Sequence, residues 1–245
     1  MHVRQAANVL ELLDWFARRR LPATLAEISD GLGWPRSSTF NLVGTLADAG
    51  FLYEPLARRG WYPTRRWLVL AQDVADAEPL PEGLHALALT IARATGETTA
   101  IGTTAGTWAS LLDVVESTQA VRFFARVGDR IPIHASSLGR ALLAQAGLAE
   151  RRALYRKLEF ERYSGTTPPS AEAVEQALSE AGVRGYHQSD SEYLPDLAGV
   201  SLPIPFPQRR LAVVVAGPVS RCLSRRAEIA QAMRAAIAQF AAAAD

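Results

Sequence analysis

The chain has 245 residues, with 26 basic and 25 acidic side chains, a formal net charge of +1, and 49% hydrophobic against 21% charged residues. That length carries two ordinary domains with a sizeable core, and that balance excludes a disordered chain. A single cysteine, Cys222, excludes a disulfide framework and a cysteine-based zinc cluster; with no signal-peptide core and no apolar run of membrane-spanning length, a reducing cytoplasm is the expected location.

Charge is distributed unevenly. Residues 1–66 hold nine arginines and six acids, a net of +3, whereas residues 67–245 carry a net of −2. In residues 4–18, Ala7, Leu10, Leu13 and Phe16 join Val9, Leu12 and Trp15 in a broad apolar surface, which predicts a helix buried on more than one side, against its neighbours and a second copy of itself. Arg18, Arg19 and Arg20 follow, suited either to the negative end of the helix dipole or to phosphate.

Thr24 and Glu27 have the spacing of a capping box before Leu25, Ile28 and Leu32, and so predict a second helix. Gly31 and Gly33 are read as bracketing a tight turn, Pro35 as opening a third helix and Gly50 as closing it, with the helix over 35–49. Two short helices joined by a glycine turn make a helix-turn-helix. In the third helix Thr39, Leu42, Val43 and Leu46 form a core stripe, leaving Arg36, Ser37, Phe40, Asn41 and Gly44 outward with Ser38 at the edge. Such a strip suits a major groove: Arg bonds guanine, Asn bonds adenine, hydroxyls reach phosphates or bases, and Phe contacts a thymine methyl. Phe51 to Tyr53 and Trp61–Tyr62 are β-prone segments around Arg58, Arg59 and Gly60, a wing with a cationic tip.

A linker helix is expected over 65–76, then a boundary near 78. The expected domains are therefore 1–64, a linker at 65–79, and 80–245. The second domain should open with a helix at about 82–95, followed by β-segments at 98–104, 107–115 and 120–125. Ile131 to His134 reads as a short extended piece leading to a serine-led helix at Ser136 and Ser137. Helices at about 149–157 and 170–182, strands at 184–189, 198–203 and 211–216, and a final helix over 221–243 complete an α+β, sensory-type domain.

Several segments together resemble the IclR family of bacterial transcriptional regulators over essentially the full length. They are Leu32 to Thr39, Arg126–Val127–Gly128, Ile131 to Leu142, Gly185–Tyr186 and Gly217–Pro218. The resemblance implies an N-terminal winged helix-turn-helix, a linker helix and a C-terminal α+β, GAF-like effector-binding domain. It implies double-stranded operator DNA and a small-molecule effector as partners, a homodimer or a dimer-of-dimers tetramer, and no cofactor. Toward DNA it assigns Arg36, Ser37, Ser38, Phe40 and Asn41, to which the capping and wing readings add Thr24, Arg58 and Arg59. Asn41 stands where the family commonly has arginine, which points to adenine readout in place of a phosphate contact.

The implied effector site comprises Ser137 and Leu138, a carboxylate at Asp190, Gly199, and Val214 and Ala216, with Ser201 also placed there. Trp108, Phe123 and Phe124 are candidate flat walls, or plain core. Members that bind small oxo-acids tend to carry hydroxyls or a thiol where this chain has Gly199, Val214 and Ala216. A polar acid against such walls leaves groups unpaired at about 1–3 kcal/mol each, so a larger, more apolar, aromatic effector is expected. The expected role is a ligand-responsive regulator of a catabolic operon, as repressor or activator. Alternatives are a winged-helix interaction module without a specific DNA target, or a small hydrolase. Ser136 or Ser137 near His134 lacks a nucleophile elbow, and the histidines at 2, 85, 134 and 187 have no ligand spacing, so neither an enzyme nor a metal site is expected.

Overall fold

The computed structural model describes residues 3–56, 59–77 and 79–244; Arg58, expected at the wing tip, lies outside them. The chain divides into two compact units at Leu80/Pro81.

The first unit runs α1 (Arg4–Arg19), α2 (Leu25–Leu32), α3 (Arg36–Asp48), β1 (Leu52–Tyr53), β2 (Tyr62–Pro63) and α4 (Arg66–Asp76). The Thr24 hydroxyl accepts from the Glu27 N–H at 3.3 Å, and Glu27 accepts from the Thr24 N–H at 2.8 Å, so α2 begins on a complete capping box. Gly31 does not belong to the turn. It is helical, and a methyl group there would lie 2.8 Å from the Trp15 indole nitrogen; the bare position lets α1 pack onto α2. The turn belongs to Gly33, at φ +65°, and is fastened by Ser29 Oγ donating to Trp34 O at 2.7 Å. Leu12, Phe16, Ile28, Val43 and Leu46 form the centre of the core. Burying each such side chain stabilises the fold by roughly 1.5–3 kcal/mol.

β1 and β2 pair antiparallel, and a bridge from Ala23 to Trp61 ties the wing to the helices. Gly60 fits that junction at φ +116°, where a Cβ would strike the Ala23 backbone at 2.4 Å. α4 is anchored by Trp67, whose ring lies tilted against Phe51 with centroids 4.3 Å apart and whose Nε1 donates to Phe51 O at 2.9 Å. The rest of α4 buries nothing, leaving Leu68, Val69, Leu70 and Val74 exposed.

The second unit contains α5 (Leu84–Thr95), β3 (Thr98–Ala105), β4 (Trp108–Val115), β5 (Arg130–Pro132), α6 (Ser137–Leu143), α7 (Leu148–Tyr155), α8 (Ala171–Arg184), β6 (His187–Asp190), β7 (Leu197–Ile204), β8 (Leu211–Pro218), α9 (Val219–Cys222) and α10 (Arg226–Ala244). The six strands form one antiparallel sheet in the order β5-β4-β3-β8-β7-β6. Alternation along β8 divides the core. Leu211, Val213 and Val215 face α5 and α10, and Ala212, Val214 and Ala216 face α6. This is the α+β, GAF-like arrangement expected.

Three local expectations need correction. Residues 120–125 form no strand, because the outer edge of β4 is taken by β5 and the segment is held by Thr98 Oγ1 donating to Phe123 O and Arg221 Nη2 donating to Val121 O. α8 runs through Gly182 and ends only at Gly185, whose φ of +83° supplies the left-handed cap. The last helix is two: Arg221 belongs to α9, which turns at Cys222 before α10 starts.

Candidate nucleic-acid interface and effector cavity

α3 separates its faces cleanly. Thr39, Val43 and Leu46 are buried, whereas Arg36, Ser37, Ser38, Phe40 and Asn41 are exposed, Phe40 at 63%. The Thr39 hydroxyl donates back to Pro35 O at 3.2 Å, so even this polar member of the stripe is satisfied inside. Thr24 is placed differently from the α3 strip, since its hydroxyl is committed to Glu27. The same contacts, first the Thr24 backbone N–H, then its hydroxyl and Arg19, hold the Glu27 carboxyl below the usual carboxylate range. Arg59 is exposed on the wing.

In the second unit a cavity opens between α6 and the face of the sheet bearing Val214. Its lining includes Leu111, Phe123, Ser137, Leu138, Ser189, Glu192, Tyr193, Gly199, Val214 and Ala216, and its volume is about 40 Å³. That is room for about three waters. Ser136 caps α6: its hydroxyl accepts from Gly139 N–H at 3.1 Å and donates to Pro132 O at 2.7 Å, which fixes the Ser137–Leu138 backbone against the cavity.

The structure thus brings Ser137, Leu138, Gly199, Val214 and Ala216 to one wall-lined space, and leaves other expected residues outside it. Ser201 is fully buried behind Ser137, to which it donates at 2.8 Å. Trp108 is on the wrong side for a cavity wall; its β4 position turns it toward Arg130 and a separate cleft shared with His134 and Lys157. Phe124 points outward, 54% exposed under Arg126, because its neighbour Phe123 takes the inward position. Asp190 is also outside the lining: it accepts from Ser191 Oγ at 3.1 Å and lies 3.7 Å from Arg226. The carboxylate at the cavity is Glu192, two residues on, which sequence reasoning missed along with Ser189.

Glu192 sits on a strap, residues 190–196, whose Ser191 and Asp196 have φ of +53° and +59°. Thr167 Oγ1 donates to Glu192 O at 2.6 Å and Thr166 Oγ1 to Asp190 O at 2.9 Å. The buried Arg140 of α6 donates to both Glu192 oxygens, at 2.6 and 2.9 Å, as well as to His134 O and Gln188 O. His134 is buried against Phe160 and Tyr163, and its Nε2 lies 3.0 Å from Glu161 O. A carbonyl only accepts, so the proton is on Nε2. Burial, foremost, holds this ring neutral, below its ordinary pKa. Among the described residues no group of His, Cys, Asp and Glu side chains is placed to hold a metal ion, and no helix is long and apolar enough to cross a membrane.

A winged helix-turn-helix with a polar outer strip, joined to an α+β domain with a roofed apolar cavity, defines a ligand-sensing DNA-binding regulator. The chain matches the IclR helix-turn-helix domain over residues 5–55 and the bacterial transcriptional regulator IclR C-terminal domain over 77–242. It is 26% identical over 229 residues to the transcriptional repressor IclR of Escherichia coli K12, covering 91% of this chain and 83% of that one. Its fold matches the crystal structure of the Thermotoga maritima IclR, with TM-score 0.74, 18% identity and 96% of each chain covered. It also matches an IclR homolog from Microbacterium hydrocarbonoxydans complexed with 4-hydroxybenzoate, with TM-score 0.73, 23% identity, and 95% of this chain and 97% of that one covered. The chain belongs to the IclR family: it is a transcriptional regulator with a DNA-binding N-terminal domain and a ligand-binding C-terminal domain. Its homologues are regulators of transcription, not enzymes.

Proposed function

We propose that α3 reads operator DNA through Arg36, Ser37, Ser38, Phe40 and Asn41, and that an apolar, ring-bearing small molecule in the α6 cavity controls this binding at a catabolic operon. The observation that carries the DNA reading is the division of α3, which leaves five side chains of base- and phosphate-contacting type free while every apolar residue of its inner stripe is wholly or partly covered. Arg36 bonds guanine and Asn41 adenine, and the wing residues Arg59 and Arg58 contact phosphate or the minor groove. Thr24 acts at one remove, holding the start of α2.

The effector reading rests on the walls. Leu111, Phe123, Val214 and Ala216 carry no polar side-chain atom, so they favour apolar area over a compact acid. With space for only a few waters, a ring enters when the Glu192–Tyr193 strap moves outward. The 4-hydroxybenzoate bound by the Microbacterium homolog is of the size and flatness proposed. In the dimer the exposed apolar side chains of α1 and α4 meet a second copy.

The test is operator affinity, by fluorescence anisotropy, with and without compounds that raise the melting temperature of the full chain. An effector acts through the difference between its affinities for two arrangements, so operator affinity should change about 5- to 150-fold. Unchanged affinity with every stabilising compound overturns effector control.

A further inference from the structure

We infer that the polar end of the effector is a neutral hydroxyl, held between Ser137 and Ser189 over the bare backbone of Gly199, and that a carboxylate is disfavoured there. The inference rests on the reading of the α6 cavity as the effector site. Ser189 stands opposite Gly199 in the β6–β7 ladder. A methyl group on Gly199 would lie 2.6 Å from Ser137 Oγ and 2.8 Å from Ser189 Oγ. Hydroxyls from a helix and from a strand therefore both lie close against the Gly199 backbone, an approach that only a missing side chain permits, and all three residues line the cavity. A glycine inside a strand marks such a close approach.

The two hydroxyls have complementary capacities. Ser201 Oγ donates to Ser137 Oγ, which leaves the Ser137 proton to be donated elsewhere. Ser189 Oγ takes part in no hydrogen bond among the described residues, and so accepts or donates. The pair suits a group that both donates and accepts, as a hydroxyl does; a carboxylate only accepts.

Charge points the same way. Glu192 is the one ionisable acid or base in the lining other than the Tyr193 phenol. Arg140, the neighbouring cation, already has its charge met by Glu192 and all four of its terminal N–H groups given to the Glu192 oxygens and two backbone carbonyls. The first-turn amide of Gly139 is taken by Ser136. A second carboxylate would therefore enter beside a first, against apolar walls, with no uncompensated cation to meet it.

Isothermal titration of the full chain at pH 7 with benzyl alcohol, benzoate and toluene tests this. Benzyl alcohol should bind at least tenfold more tightly than benzoate. Ser189→Ala should weaken benzyl alcohol about tenfold and leave toluene unchanged, a difference that loss of structure would not produce. Glu192→Gln should raise benzoate affinity relative to the alcohol, because Arg140 is then uncompensated. Benzoate binding as tightly as the alcohol in the unsubstituted chain overturns the inference while leaving the cavity as the effector site, as does an equal loss of toluene and alcohol in Ser189→Ala. Binding of none of the three overturns both.

Discussion

His187 opens β6 with its ring shut away from solvent, and burial, then the charges of Arg140 and Arg184, lower its pKa to about 4. A base kept neutral in the fold and free to charge in the unfolded chain makes the unfolded state bind more protons between pH about 4 and 6.5. Stability then rises with pH across that interval and is lost as pH falls through it. The gap corresponds to about 3 kcal/mol at most. His134, lowered in the same direction, adds to the slope. His187→Gln should flatten the dependence of the urea midpoint on pH between 4 and 6.5; an unchanged slope would show that His187 charges freely in the fold. At this scale, much was legible from spacing alone. The Thr24–Glu27 cap and the α3 stripe depend on neighbours three or four residues away. Gly31 was misread because a distant partner decides it: Trp15 requires the glycine; likewise nothing local to the sequence shows that Glu192, paired with Arg140, lines the cavity where Asp190 does not.

Among the elements, α4 carries a consequence of its own. Leu68, Val69, Leu70 and Val74 are between 47% and 67% exposed, and Leu10 of α1 is 65% exposed. In the proposed dimer this exposed apolar surface is what the second copy covers. Val74→Glu combined with Leu68→Glu should shift the chain toward monomer in sedimentation velocity at micromolar concentration, without lowering the melting temperature of the second domain. Unchanged sedimentation would place the dimer contact elsewhere. Helices and central strands were readable from the sequence because their apolar periods are local. Residues 120–125 were not: their composition suits a strand, but the free edge of β4 goes to β5. The split between α9 and α10 was hidden for a related reason, since Arg221 is drawn out to the buried Glu97.

For the molecule as a whole, the fold was legible and the cavity only in part. The matching motifs pointed to the class of each domain, and five of the residues expected at an effector site line one cavity. The roof was not readable, because a strap with two left-handed residues, pinned by Thr166, Thr167 and Arg140, has no periodic signature. In the proposed effector control this strap is the element that a ring displaces, because an effector acts at a distance only through its different affinities for two arrangements. That action has meaning only if α3 reads sequence. Arg36 is its most direct reporter, since a bidentate contact to guanine contributes about 1–3 kcal/mol of discrimination. The decisive measurement is the affinity of the full chain and of Arg36→Ala for DNA from beside its own gene and for random duplex, across a range of salt. Sequence reading by α3 gives at least a thousandfold preference for the cognate site, cut about 5- to 150-fold by Arg36→Ala while random-duplex affinity changes little; no preference in the unsubstituted chain, or equal losses on both DNAs, would contradict it.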